Sequence, residues 1–161
     1  MFEPRLTVFV LVTYDVAGYW WHYRTSKSIL YGRDMEKFIA VGLGGFFGAN
    51  ARYFMTIWIA ERVKPSLMGI PFGTMFVNVT GSFLLALFIV LIDRRITISD
   101  NLRLLIATGF FGAYTTFSTY AVESTNLLKD GNWSGGLTNI IVTNLLCLLG
   151  VILGIFIGTR L

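Results

Sequence analysis

Thr74, Asn78 and Ser82 stand four residues apart inside an uncharged run, residues 71–92. On a helix, residues at i, i+4 and i+8 share one face, so an otherwise apolar rod carries a polar stripe. An Asn amide brings two N–H donors and needs partners wherever water is excluded. Two uses fit that chemistry. One is hydrogen bonding between helices, worth about 1 kcal/mol or less per bond. The other is a surface that offers donors to a passing anion, and the stripe favours this pore face.

A second stretch is Gly109-Phe110-Phe111-Gly112-Ala113-Tyr114-Thr115-Thr116-Phe117-Ser118-Thr119-Tyr120, inside the uncharged residues 104–122. Gly and Thr are poor helix formers. A break at membrane depth is tolerated only where backbone is buried in protein or lines a polar cavity. It frees carbonyl and N–H groups that can hold ions. The stretch therefore predicts a discontinuous helix at an ion site, broken near residues 112–116. The plainer alternative is a kinked helix packed through small residues.

A third set is Thr143, Cys147, Gly150, Gly154 and Gly158, spaced 4, 3, 4 and 4. This is one small-residue face. Its glycine end suits helix packing, and its polar end, Thr143 with Asn139 upstream, suits a pore. No span carries a carboxylate in its middle, which argues against proton-coupled transport. Amides, hydroxyls and the positive edges of Phe rings can pass a small anion. A full basic charge would hold it too tightly to release it.

Composition sets the frame for these groups. The chain has 161 residues, 55% hydrophobic and 14% charged, with mean hydropathy +0.67. Soluble domains carry about 25% charged residues, so this is a membrane protein. Cys147 is the only cysteine and His22 the only histidine. No disulfide framework, metal-ligand cluster, nucleophile elbow or phosphate-binding loop follows from them, and no enzyme. The net charge of +4 flanks apolar runs. That suits an anionic bilayer surface and not a nucleic acid.

Four spans must position the polar groups: residues 38–60, 71–92, 104–123 and 133–159. In the first, Gly44, Gly48 and Arg52 share a face. Arg52 lies about 21 Å along it from Phe38, near the far interface, where it can snorkel, bind freed carbonyls or serve a pore. Glu123, closing the third span, can cap, pair with a basic residue or line a vestibule, and the structural role is favoured. Residues 129–132 read as a turn. Residues 1–34 form an extension whose apolar run, residues 6–12, is too short to span and makes a poor signal peptide. Met35, just before the first strong span, is the suspected natural start, leaving residues 35–161 as the membrane domain.

Three ordered motifs then resemble one family. They are Gly44-Gly45-x-x-Gly48-Ala49-x-x-Arg52-Tyr53, Gly73-Thr74-x-x-Val77-Asn78-x-x-Gly81-Ser82-Phe83, and Gly109-Phe110-x-Gly112-x-x-Thr115-Thr116-Phe117-Ser118-Thr119. Together they are similar to the Fluc (CrcB) fluoride channels over residues 36–160. The resemblance implies an all-α membrane protein with four helices per subunit, the third broken. It implies an antiparallel, dual-topology homodimer with two pores in the inner (plasma) membrane. It implies passive, highly selective fluoride export that confers fluoride resistance. By position, Asn78 would be the pore amide, and Phe117 and Tyr120 the aromatic box. Thr116 and Ser118 would donate hydroxyls nearby, and Thr143 and Cys147 would lie on the polar track of the fourth span, with Thr74 read as a pore residue from its place on the second-span stripe. The Gly112 and Thr115 carbonyls would hold a structural Na⁺ on the dimer axis. Two departures stand out. Tyr120 replaces a frequent Phe and would add a hydroxyl to the site; Cys147 replaces a frequent Ser and weakens a donor.

Charge counting supports dual topology by a separate route. From Met35 onward, Lys37, Arg94, Arg95, Arg103 and Arg160 oppose Arg62, Lys64 and Lys129, five against three. So small a bias decides orientation poorly. Adding Arg5, Arg24, Lys27 and Arg33 makes nine against three. The competing reading, a small dual-topology four-helix exporter of cationic compounds, needs a carboxylate in the first span, which has none. A purely structural subunit leaves Thr74, Asn78 and Phe117 together without a reason.

Overall fold

The computed structural model describes residues 33–63 and 68–161, and these are helical with short connections. The extension reading falls on residues 1–32 almost entirely, outside the described residues, as does Lys64. Helix α1 spans Arg33–Arg62 and α2 spans Phe72–Arg94. A short α3, Asp100–Arg103, is capped by Ser99, whose hydroxyl accepts the Leu102 N–H. It continues into a π-wound segment, Leu104–Phe111, and a single turn, α4, Gly112–Tyr114. Then come α5, Phe117–Lys129, and α6, Trp133–Arg160. Gly131 turns the chain between them at φ 77°, a backbone that side chains resist. Asn132 caps α6 through the Gly135 N–H.

Two of these helices, α2 and α6, are long and apolar enough to cross a membrane by length and composition. Helix α1 is long enough, but its glycines, Asn50 and Arg52 dilute it. The third expected span, residues 104–123, is divided, so neither piece has the length alone. Large apolar side chains cover the outside of the helices, including Phe46, Phe54, Leu148 and Ile152. A lipid-facing surface is apolar for this reason.

Two seams bring backbones close. A Cβ on Gly44 or Gly48 would run into the Leu105 or Phe110 carbonyl, so α1 presses directly on the π-wound segment. Across α2 and α6, a Cβ on Gly154 would stand 2.5 Å from the Phe83 carbonyl, and one on Gly158 3.0 Å from Val90. The small-residue face of α6 is thus a packing surface at its glycine end, as close helix approach in a bilayer requires. The buried interior is largely small and polar: Val77 and Asn139 are its most enclosed side chains.

Candidate functional site

Between Tyr114 and Phe117 the backbone is extended, at Thr115 (φ −83°, ψ 156°) and Thr116 (φ −149°, ψ 110°). Asn78 of α2 meets this point. Its Oδ1 accepts the Thr116 N–H at 2.7 Å, and its Nδ2 donates to the Thr116 carbonyl at 3.1 Å. A primary amide thereby replaces both helical partners of one residue. One amide N–H remains uncommitted among the described residues. The Thr116 N–H would otherwise bond the Gly112 carbonyl four residues back, so that carbonyl loses its helical donor. Gly81 makes room, because a Cβ there would strike the Thr115 methyl and lie 3.0 Å from the Tyr114 ring.

Thr116 also starts α5. Its hydroxyl accepts the Thr119 N–H at 3.3 Å and sits 3.3 Å from the Ser118 hydroxyl and 3.0 Å from that of Thr119. Ser118 and Thr119 are exposed, while Thr116 is buried. The positive end of the α5 dipole and several hydroxyls therefore share one place, a setting that favours an anion. Phe117 stands at the same end and is 77% exposed, whereas Tyr120 is 7% exposed. Their rings are 5.6 Å apart at 54°, so the two aromatic positions face different surroundings.

The polar track continues toward α6. Asn139, 1% exposed, donates to the Ser124 hydroxyl at 2.9 Å and accepts from the Thr143 hydroxyl at 3.2 Å. Ser124 in turn donates to the Tyr120 carbonyl at 2.7 Å. Thr143 is thus brought into the seam, but through Asn139 and Ser124. The sequence reading overlooked Ser124. Its spacing of four from Tyr120 was the available signal. Thr74 donates to one carboxylate oxygen of Glu123 at 2.9 Å, and the other oxygen is buried without a partner among the described residues. Within that set Glu123 pairs with a hydroxyl and not with a basic residue.

The Tyr120 hydroxyl, read from the sequence as a group added to the site, donates to the Ile140 carbonyl of α6 at 3.3 Å. It also accepts from Asn144 at 2.6 Å. The remaining positions are more peripheral. Cys147 is half-buried beside Ser82 of α2. Arg52 is half-buried on α1, one helical turn beyond Gly48. Gly112 is exposed, with nothing within 4 Å of where a Cβ would stand. Thr115 turns its hydroxyl back to the Phe111 carbonyl at 3.0 Å. No group of three His, Cys, Asp or Glu side chains gathers among the described residues.

Comparison with known proteins gives a consistent result. Residues 39–155 match the family model described as CrcB-like protein, Camphor Resistance (CrcB). The chain is 44% identical over 118 residues to the fluoride-specific ion channel FluC of Koribacter versatilis, covering 73% of this chain and 91% of that protein. It is 36% identical over 124 residues to the FluC of Chloroflexus aurantiacus, covering 77% and 96%. It is 38% identical over 127 residues to that of Sorangium cellulosum, covering 79% and 98%.

Proposed function

The chain belongs to the CrcB family, and on that premise we propose that it is a fluoride channel whose pore wall is the polar seam around the Asn78–Thr116 contact. It is a membrane protein and not an enzyme. One observation carries the reading of the site. The Asn78 amide holds the backbone extended at Thr116, and this exposes the positive end of α5 beside hydroxyls and the Phe117 ring. Fluoride is small and strongly hydrated. A path for it must offer hydrogen-bond donors in place of water while binding weakly enough to release it. The uncommitted Asn78 N–H, the Ser118 and Thr119 hydroxyls and the ring edge of Phe117 supply such groups without a full charge.

Two subunits in antiparallel arrangement complete the assembly in this reading. The open face at Gly112 and the weak five-to-three charge bias support it. A structural Na⁺ fits the same face. The Gly112 carbonyl has lost its helical donor, and two copies of Gly112 and Thr115 would give four oxygens to a hard monovalent ion. That ion would join the subunits and lend local positive potential; the anion's contacts come from the side chains above. Export through the inner membrane follows from charge: a negative cell interior drives an anion outward, which would protect the cytoplasm from fluoride. The exporter alternative is disfavoured by the same matches and by the first span's lack of a carboxylate.

Liposomes loaded with fluoride, or with chloride, test the function. Fast fluoride efflux with no matching chloride efflux is expected; equal rates, or none, would end the channel reading. Replacing Na⁺ with a larger monovalent cation should lower dimer stability or flux. If both are unchanged, the central cation is not part of this protein.

A further inference from the structure

The Tyr120 hydroxyl is spoken for at both ends. Its single proton goes to the Ile140 carbonyl at 3.3 Å, and its oxygen accepts from Asn144 at 2.6 Å. The second N–H of the same amide goes to the same Ile140 carbonyl at 2.7 Å. Asn144 thus closes a small ring of hydrogen bonds that ties α5 to α6 through residue 120. Asn144 lies on the uncharged stretch of α6 with Leu145, Leu146 and Leu148 around it. An amide on such a surface is costly unless it has a task. Among the described residues its Nδ2 engages these two oxygens and no others.

We propose that Asn144 is a positioning residue for the pore: it draws the Tyr120 hydroxyl onto α6, so that residue 120 offers the anion its ring edge and not an O–H donor. This rests on the channel reading above and extends it. A tyrosine free to rotate could turn a strong hydroxyl donor toward fluoride and hold it, which slows release. With the proton committed to Ile140, the ring behaves as phenylalanine would. Asn144 therefore matters only while residue 120 is a tyrosine.

The test is a four-protein cycle: wild type, Asn144→Leu, Tyr120→Phe and the double variant, each isolated as a dimer and assayed for fluoride efflux. Asn144→Leu is expected to slow efflux about tenfold when residue 120 is the native tyrosine, the scale of one hydrogen bond. In the Tyr120→Phe background the same change should cost less than about twofold, whatever Tyr120→Phe does by itself. An equal loss in both backgrounds, or no loss in either, overturns the proposal. Melting the four proteins in detergent gives a readout independent of conduction. Non-additive shifts are expected from the contact, and additive ones would overturn it. If wild type fails to pass fluoride while the melting shifts are non-additive, the channel reading fails and the Asn144–Tyr120 contact stands.

Discussion

Helix α2 has two working faces, and they are built on different physics. Toward α6 it meets Gly150, Gly154 and Gly158, where Phe83, Ala86 and Val90 fill the space that side chains would take. Toward α4 and α5 it presents Thr74, Asn78 and Gly81, which bond Glu123 and Thr116 and accommodate Thr115. At these glycines the first face relies on van der Waals contact, the usual basis of helix association in lipid. The second directs hydrogen bonds at backbone that has left its helix. A packing face can be repaired by small shifts. A clamp on broken backbone has one partner set, so under the proposed function its loss should change conduction and not only stability.

The strongest test of that contrast is Asn78→Asp. The carboxylate can still accept the Thr116 N–H, but it sets oxygen against the Thr116 carbonyl and puts negative charge on the wall of the proposed pore. Fluoride efflux should fall at least about a hundredfold with the dimer intact, since like-charge repulsion at low dielectric exceeds about 3 kcal/mol. Near-normal flux would move Asn78 to the packing side of the comparison.

Phe117→Ile should come next. It keeps bulk at an exposed position but removes the ring edge. A loss of about tenfold or more in efflux is expected, with unchanged melting. Flux like that of wild type would mean the ring edge is not used.

On the glycine face, Gly154→Val forces a side chain against the Phe83 carbonyl and the Leu87 backbone nitrogen. Thermal or denaturant unfolding in detergent should show a loss of about 1–3 kcal/mol. Efflux per folded protein should hold near its starting value. A specific collapse of flux without a stability change would erase the distinction between the two faces.

The smallest effect belongs to residues 1–34. Removing them should leave efflux unchanged within about twofold, because the early apolar run cannot span and the family match begins at residue 39. A shortened protein that inserts and dimerises but does not conduct would show that the extension contributes to the pore.

Much of this molecule was legible from composition and spacing. Uncharged runs marked the helices, with α2 and α6 placed within about two residues of the ends expected for them. The 4, 3, 4, 4 spacing pointed to a glycine face, and Gly109 to Tyr120 marked where helical backbone would be hard to sustain. These follow from properties that each residue carries with it: hydropathy, side-chain size and helix propensity. Which donor meets which acceptor does not. Asn78 with Thr116, Asn139 with Ser124, and Asn144 with Tyr120 each join different helices. A turn of about 100° per residue about a helix axis, together with its tilt, decides which groups come within about 3 Å of each other. Sequence alone therefore showed that the tyrosine at position 120 has a hydroxyl. Only the packing of α5 on α6 decided that this hydroxyl points to Ile140.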